Sequence, residues 1–91
     1  MKAIYWDNEK NRWLKRNRGI GFEEIAEALN DGRLLDDLPN PSKNFPFQRV
    51  LIVEVDGYAI VVPYIRDQDS IFLKTLFPDR KATRKYLKGL I

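Results

Sequence analysis

A chain of 91 residues has room for one hydrophobic core, so residues 1–91 read as a single domain. Apolar residues at 44%, charged residues at 32% and a net charge of +3 describe a globular, water-soluble composition without a bilayer-spanning run. Neither Cys nor His occurs, which excludes disulfides, Cys/His zinc sites and Cys/His catalysis; no metal or cofactor is expected, and chemistry falls to Lys, Arg, Tyr, Asp and Glu.

The N-terminus, Met1 to Asp7, lacks the apolar core of a secretion signal, so the expected address is the cytoplasm. Lys2 to Trp6 alternates as a short strand. Asp7 suits an N-cap, and Asn8 to Asn17 reads as a helix anchored by Trp13 and Leu14, with basic residues around the rest. Trp6 and Trp13 are expected to pack rather than to stack on bases. Gly19 and Gly21 punctuate the helix end, with Ile20 as a packing contact between them.

A second helix is expected over Phe22 to Asn30, with Phe22, Ile25, Ala26 and Leu29 forming its apolar stripe. Glu23 and Glu24 suit the positive end of its dipole, an explanation that leaves no need for paired acid–base carboxylates. Asn30-Asp31-Gly32 stops it. Arg33 to Leu38 reads as an edge strand, and the three prolines among Pro39 to Pro46 impose an extended connection. Asp56-Gly57 between two β-branched runs is a hairpin signal, and a third meander strand is expected over Ile71 to Phe77. Phe77-Pro78-Asp79 then turns into a basic helix whose buried side is Ala82, Tyr86 and Leu90 and whose end is marked by Gly89. The fold class is α+β, with helices laid on an antiparallel sheet.

Charge is sorted along the chain. Lys10, Arg12, Lys15, Arg16 and Arg18 form one basic block, the middle is acidic, and Arg80, Lys81, Arg84, Lys85 and Lys88 form a second block. Arg80 and Arg84 share a helix face, as do Lys81 and Lys85. Such surfaces suit a polyanion, although the first block reads equally as a solvated helix face.

Three segments carry a resemblance in chain order: W-D-x-x-K at Trp6, Asp7 and Lys10, G-I-x-F-E-E at Gly19 to Glu24, and R-K-A-T-R-K-Y from Arg80 to Tyr86. Together they resemble the BrnT family of bacterial toxins over nearly the whole chain. Lys85 or Tyr86 stands where the family pattern has Glu. The resemblance implies a RelE-like fold: an N-terminal strand and two helices, an antiparallel meander, and a basic C-terminal helix. It also implies messenger RNA as substrate and a cognate antitoxin with a ribbon-helix-helix DNA-binding domain as partner.

Attack by a ribose 2′-oxygen requires an in-line phosphate, charge neutralisation and proton transfer, without a metal or protein nucleophile. Arg80 and Arg84 are the expected transition-state stabilisers, because a guanidinium grips two phosphate oxygens. Lys74, leading into them, is the candidate acid–base residue, acting through desolvation among cations. Tyr64, Arg66, Lys81 and Lys85 are the expected RNA contacts, with Tyr64 stacking or donating a proton. Lys74 and Arg66 read equally as the solvent-facing halves of alternating strands. The competing reading is a non-catalytic small basic protein that binds nucleic acid or an antitoxin.

Overall fold

The structure, a computed structural model, describes residues 2–88. Among them the elements run β1 (Ala3–Trp6), α1 (Asn8–Arg18), α2 (Phe22–Asn30), β2 (Leu34–Pro39), β3 (Arg49–Val55), β4 (Tyr58–Arg66), β5 (Ser70–Leu73), β6 (Phe77–Pro78) and α3 (Arg80–Leu87). The α+β class therefore holds. The sheet is mixed, in the order β1-β5-β4-β3-β2, with β6 also paired to β4. The meander β3-β4-β5 is antiparallel as expected, but β1 lies parallel to β5, Ala3 opposite Ser70 and Trp6 opposite Leu73. Two helices separate β1 from the other strands, and so long a connection lets it enter parallel, which a tight turn forbids.

Local chemistry sets the boundaries. Asp7 accepts from Lys10 N at 3.3 Å to start α1, and Gly19 at φ 71° ends it by returning its N–H to Lys15 O. Glu24 Oε1 accepts from Gly21 N at the start of α2, and Gly32 at φ 77° follows its end. Asp56 at φ 53° and Gly57 at φ 79° make the tight hairpin between β3 and β4.

Helices cover both faces. On one, Leu14, Phe22, Ile25 and Ala28 pack against Leu51, Val53, Val62, Tyr64 and Leu73. Full burial of an aliphatic side chain such as Leu14 or Ile25 contributes about 1.5–3 kcal/mol. On the other face, Ala82 and Leu87 of α3 sit over Val50, Ile52, Ala59 and Val61, with Tyr86 half-buried beside them. The two basic blocks, on α1 and α3, thus lie on opposite sides of the sheet.

Four expectations are corrected. Trp13 is 40% exposed, with Lys10 Nζ 4.6 Å and the Arg18 guanidinium 5.3 Å from its ring centre, so Leu14 alone anchors α1 from that pair. Trp6 does pack, stacked on Phe22 at 5.7 Å. In α2 it is Ala28 that is fully buried, while Ala26 is half-buried. The run Ile71 to Phe77 is two strands, broken where Leu76 drops into the core. In α3, Thr83 and Leu87 are the buried partners of Ala82; Gly89 and Leu90 lie outside the described residues.

Candidate functional site

Helix α3 is fixed to β4 by two hydrogen bonds that pair otherwise unsatisfied groups. Asp79 N donates to Ala59 O at 3.0 Å, and Ala59 N donates to Thr83 Oγ1 at 2.9 Å; Thr83 in turn donates to Asp79 O. Asp79 also caps the helix through Lys81 N. With Ala82, Thr83 and Leu87 turned to the sheet, the helix must present its cations outward. Lys81, Arg84, Lys85 and Lys88 surround a shallow concavity that includes Tyr86. Their spacing of three and four residues puts them on one stripe. Among the described residues, none of the α3 cations is in a salt bridge.

Beside α3, on the same side of the sheet, lies a groove of about 600 Å³. Its floor is Val50, Ile52, Val61 and Pro63, its walls include Phe45 and Phe77, and Lys74 and Asp79 stand at its edge. The groove exists because α3 covers only part of this face and the connection from Asn40 to Gln48 folds over the rest. Asn40 Nδ2 donates to Gln48 Oε1 at 3.2 Å and Asn40 N to Gln48 O at 3.0 Å, closing that connection. Lys74 is exposed, with its ammonium 5.4 Å from the Phe72 ring centre. It therefore lacks the burial on which its expected acid–base role was to rest.

Tyr64 and Arg66 turn to the opposite face. They line a smaller cavity of about 240 Å³ with Lys2, Asp37 and Leu51. Tyr64 is buried and donates its hydroxyl to the Asp37 carboxylate at 2.8 Å, while Arg49 Nε donates to Asp37 Oδ1 at 3.0 Å. Burial pushes the Tyr64 hydroxyl above its ordinary pKa, and the Asp37 hydrogen bond adds to it. The same carboxylate raises Arg49. A phenol held this way cannot stack on a base. Of the seven expected site residues, Lys74, Arg80, Lys81, Arg84 and Lys85 share the α3 side, and Tyr64 and Arg66 do not.

The neighbouring acid, Asp36, accepts from Tyr86 on the α3 side at 2.5 Å. That bond lowers the Asp36 pKa and raises that of Tyr86. Asp36 and Asp37 are consecutive residues of regularly paired strand, opposite Ile52 and Leu51, so ordinary alternation sends their carboxylates to opposite faces. Asp36, Asp37 and Arg49 were not legible as a site. Two adjacent acids in an edge strand with apolar neighbours were the available signal. Phe45 and Phe77, too, carry no site signal in the sequence, Phe45 falling in the Pro-rich connection and Phe77 at a strand end and corner. No helix of the described residues is long and apolar enough to cross a membrane. No family model matches the chain, and no curated protein matches it.

Proposed function

We propose that this protein is the toxin of a bacterial type II toxin–antitoxin system, a BrnT-like, RelE-like endoribonuclease of the cytoplasm that cleaves messenger RNA and so arrests translation and growth. The observation that carries this reading is the α3 stripe, where Lys81, Arg84, Lys85 and Lys88 line one concavity and none of them is in a salt bridge among the described residues, Asp36 acting on Lys85 only at longer range. Cations held out of salt bridges on a helix pinned to a sheet suit phosphate. The three sequence motifs support the family, and the cognate partner would be an antitoxin with a ribbon-helix-helix domain.

In this reading the 2′-oxygen forms a bond to phosphorus as the 5′-oxygen bond breaks, giving a 2′,3′-cyclic phosphate and a 5′-hydroxyl. Arg80 and Arg84 neutralise charge as the phosphorane forms. Solvent water takes the 2′-hydroxyl proton, and the Lys74 ammonium, exposed at the groove edge, offers one to the leaving oxygen. Lys81 and Lys85 hold flanking phosphates. No metal is needed in this scheme. The second reading, a non-catalytic binder of nucleic acid or of an antitoxin, uses the same stripe; the exposure of Lys74 is what favours it.

The test is induced expression of the chain alone beside an Arg80→Ala, Arg84→Ala variant, with growth and new RNA 5′ ends followed. Arrest and new ends that vanish in the folded variant are expected. Arrest that persists in it would remove Arg80 and Arg84 from the site, and normal growth with unchanged RNA would favour the binder.

A further inference from the structure

The sheet face beside α3 is more aromatic than any basic-patch argument requires. Phe45 is 50% exposed and Phe77 38% exposed on the walls of the groove, and Phe72, 36% exposed, carries the Lys74 ammonium above its ring. Tyr5, 56% exposed, lies opposite Phe72 in the β1–β5 register, and Phe72 lies opposite Ile65 in turn. Exposed rings in such number on one sheet face call for a ligand. The floor between Phe45 and Phe77 is apolar, and the edge holds Lys74, Asp79 and the amides of Asn40 and Gln48.

Charge decides among occupants. The groove runs to the N-cap of α3, and from there the exposed Arg80 and the stripe from Lys81 to Lys88 continue the surface as cation. An occupant must therefore offer flat apolar surface to the groove and repeated negative charge to the helix. An unpaired polynucleotide does both: bases stack on aromatic rings regardless of sequence while the backbone follows the cations. A duplex does not, because its bases face one another. The Gln48 Oε1 is taken by Asn40, which leaves its amide hydrogens to meet a carbonyl or ring nitrogen on a base edge.

We propose that the groove between Phe45 and Phe77 receives an unpaired base of single-stranded RNA, whose phosphates continue over Lys74 and onto the α3 cations. This rests on the RNA reading above and narrows its substrate to unpaired segments.

The test uses the whole chain and a short 2′-O-methyl RNA oligomer, which cannot be cut, with 2-aminopurine at its centre, single-stranded and as a duplex. Binding of the single strand with a change in 2-aminopurine emission is expected, with weaker binding of the duplex. The Phe45→Leu, Phe77→Leu variant keeps apolar volume but removes the rings, and should lose about tenfold in affinity with the salt dependence unchanged. A variant with unaltered circular dichroism that binds as tightly and shows the same emission overturns the groove assignment and leaves the RNA reading standing. Failure of the wild-type chain to bind either oligomer overturns both. A wild-type dimer that becomes monomeric when Phe45 and Phe77 are changed to Ser, with RNA affinity unchanged, overturns the proposal in favour of a second copy.

Discussion

Tyr86, on the last helix, donates its hydroxyl to Asp36 on the edge strand, 50 residues earlier, at 2.5 Å. The bond ties α3 to β2 across β3, and its pH dependence has a definite sign. Asp36 is lowered, so its stabilisation is present above its unfolded value, about 3.9, and is lost as pH falls through the lower folded value. Tyr86 is raised, so its stabilisation is present below its unfolded value, about 10, and is lost as pH rises through the higher folded value. The stability difference between wild type and Tyr86→Phe should therefore be greatest between these limits and shrink at both ends. Urea unfolding across pH measures it, and a difference that ignores pH would discount the bond.

Thr83 is a second tie, and a buried one. Thr83→Val keeps the shape but leaves Ala59 N–H without its acceptor at a fully buried position. The expected cost is roughly 1–3 kcal/mol by chemical denaturation. Because the same residue holds α3 on β4, RNA binding should weaken as well; an unchanged midpoint would show that water replaces the hydroxyl.

Asn11 does the corresponding work between α1 and α2. It is 5% exposed, accepts from Phe22 N at 2.7 Å and donates to Glu23 Oε2 at 2.8 Å, and Lys15 completes the cluster, holding Glu23 below its ordinary pKa. Asn11→Ala should cost about 1–3 kcal/mol by stranding the Phe22 N–H. A Cβ at Gly21 would stand 2.7 Å from Asn11 Oδ1, so Gly21→Ala should destabilise in the same range by overpacking. Thermal melts of the two variants and their combination would show coupling between them, and simple additivity would contradict a shared cluster.

Most of this framework was legible where local chemistry decides: the Asp7 cap, the Asp56-Gly57 hairpin, and the span of α2 follow from residues adjacent in sequence. What stayed hidden depends on contacts distant in sequence. Trp13 looked apolar enough for the core, yet it lies at the surface between Lys10, three residues before it, and Arg18, five residues after it, whose cations sit against its ring. Nothing local marks β1 as a parallel partner of β5. The same holds for the site. The α3 cations were visible from spacing alone, whereas Tyr64 turns to the far face because it pairs in β4 with Arg49 and Leu73, whose inward side alternation could not assign without the sheet order.

Salt should separate the cations from the scaffold. Single-stranded RNA binding falls with salt at a slope of about 0.7 per phosphate neutralised. Lys81→Ala and Lys85→Ala should each reduce that slope by up to about this amount with little change in stability, since both side chains are exposed. Titrations at several salt concentrations that left the slope untouched would exclude these residues from the phosphate path.

Cleavage by a 2′-hydroxyl leaves a chemical signature, and reading it tests the central claim most directly. RNA from cells expressing the chain alone would be examined for the chemistry of its newly formed 3′ ends. Fragments ending in 2′,3′-cyclic phosphate, absent when Arg80 and Arg84 are replaced by Ala, are the predicted result. New ends carrying a 3′-hydroxyl, or an RNA population identical to that of uninduced cells, would contradict it.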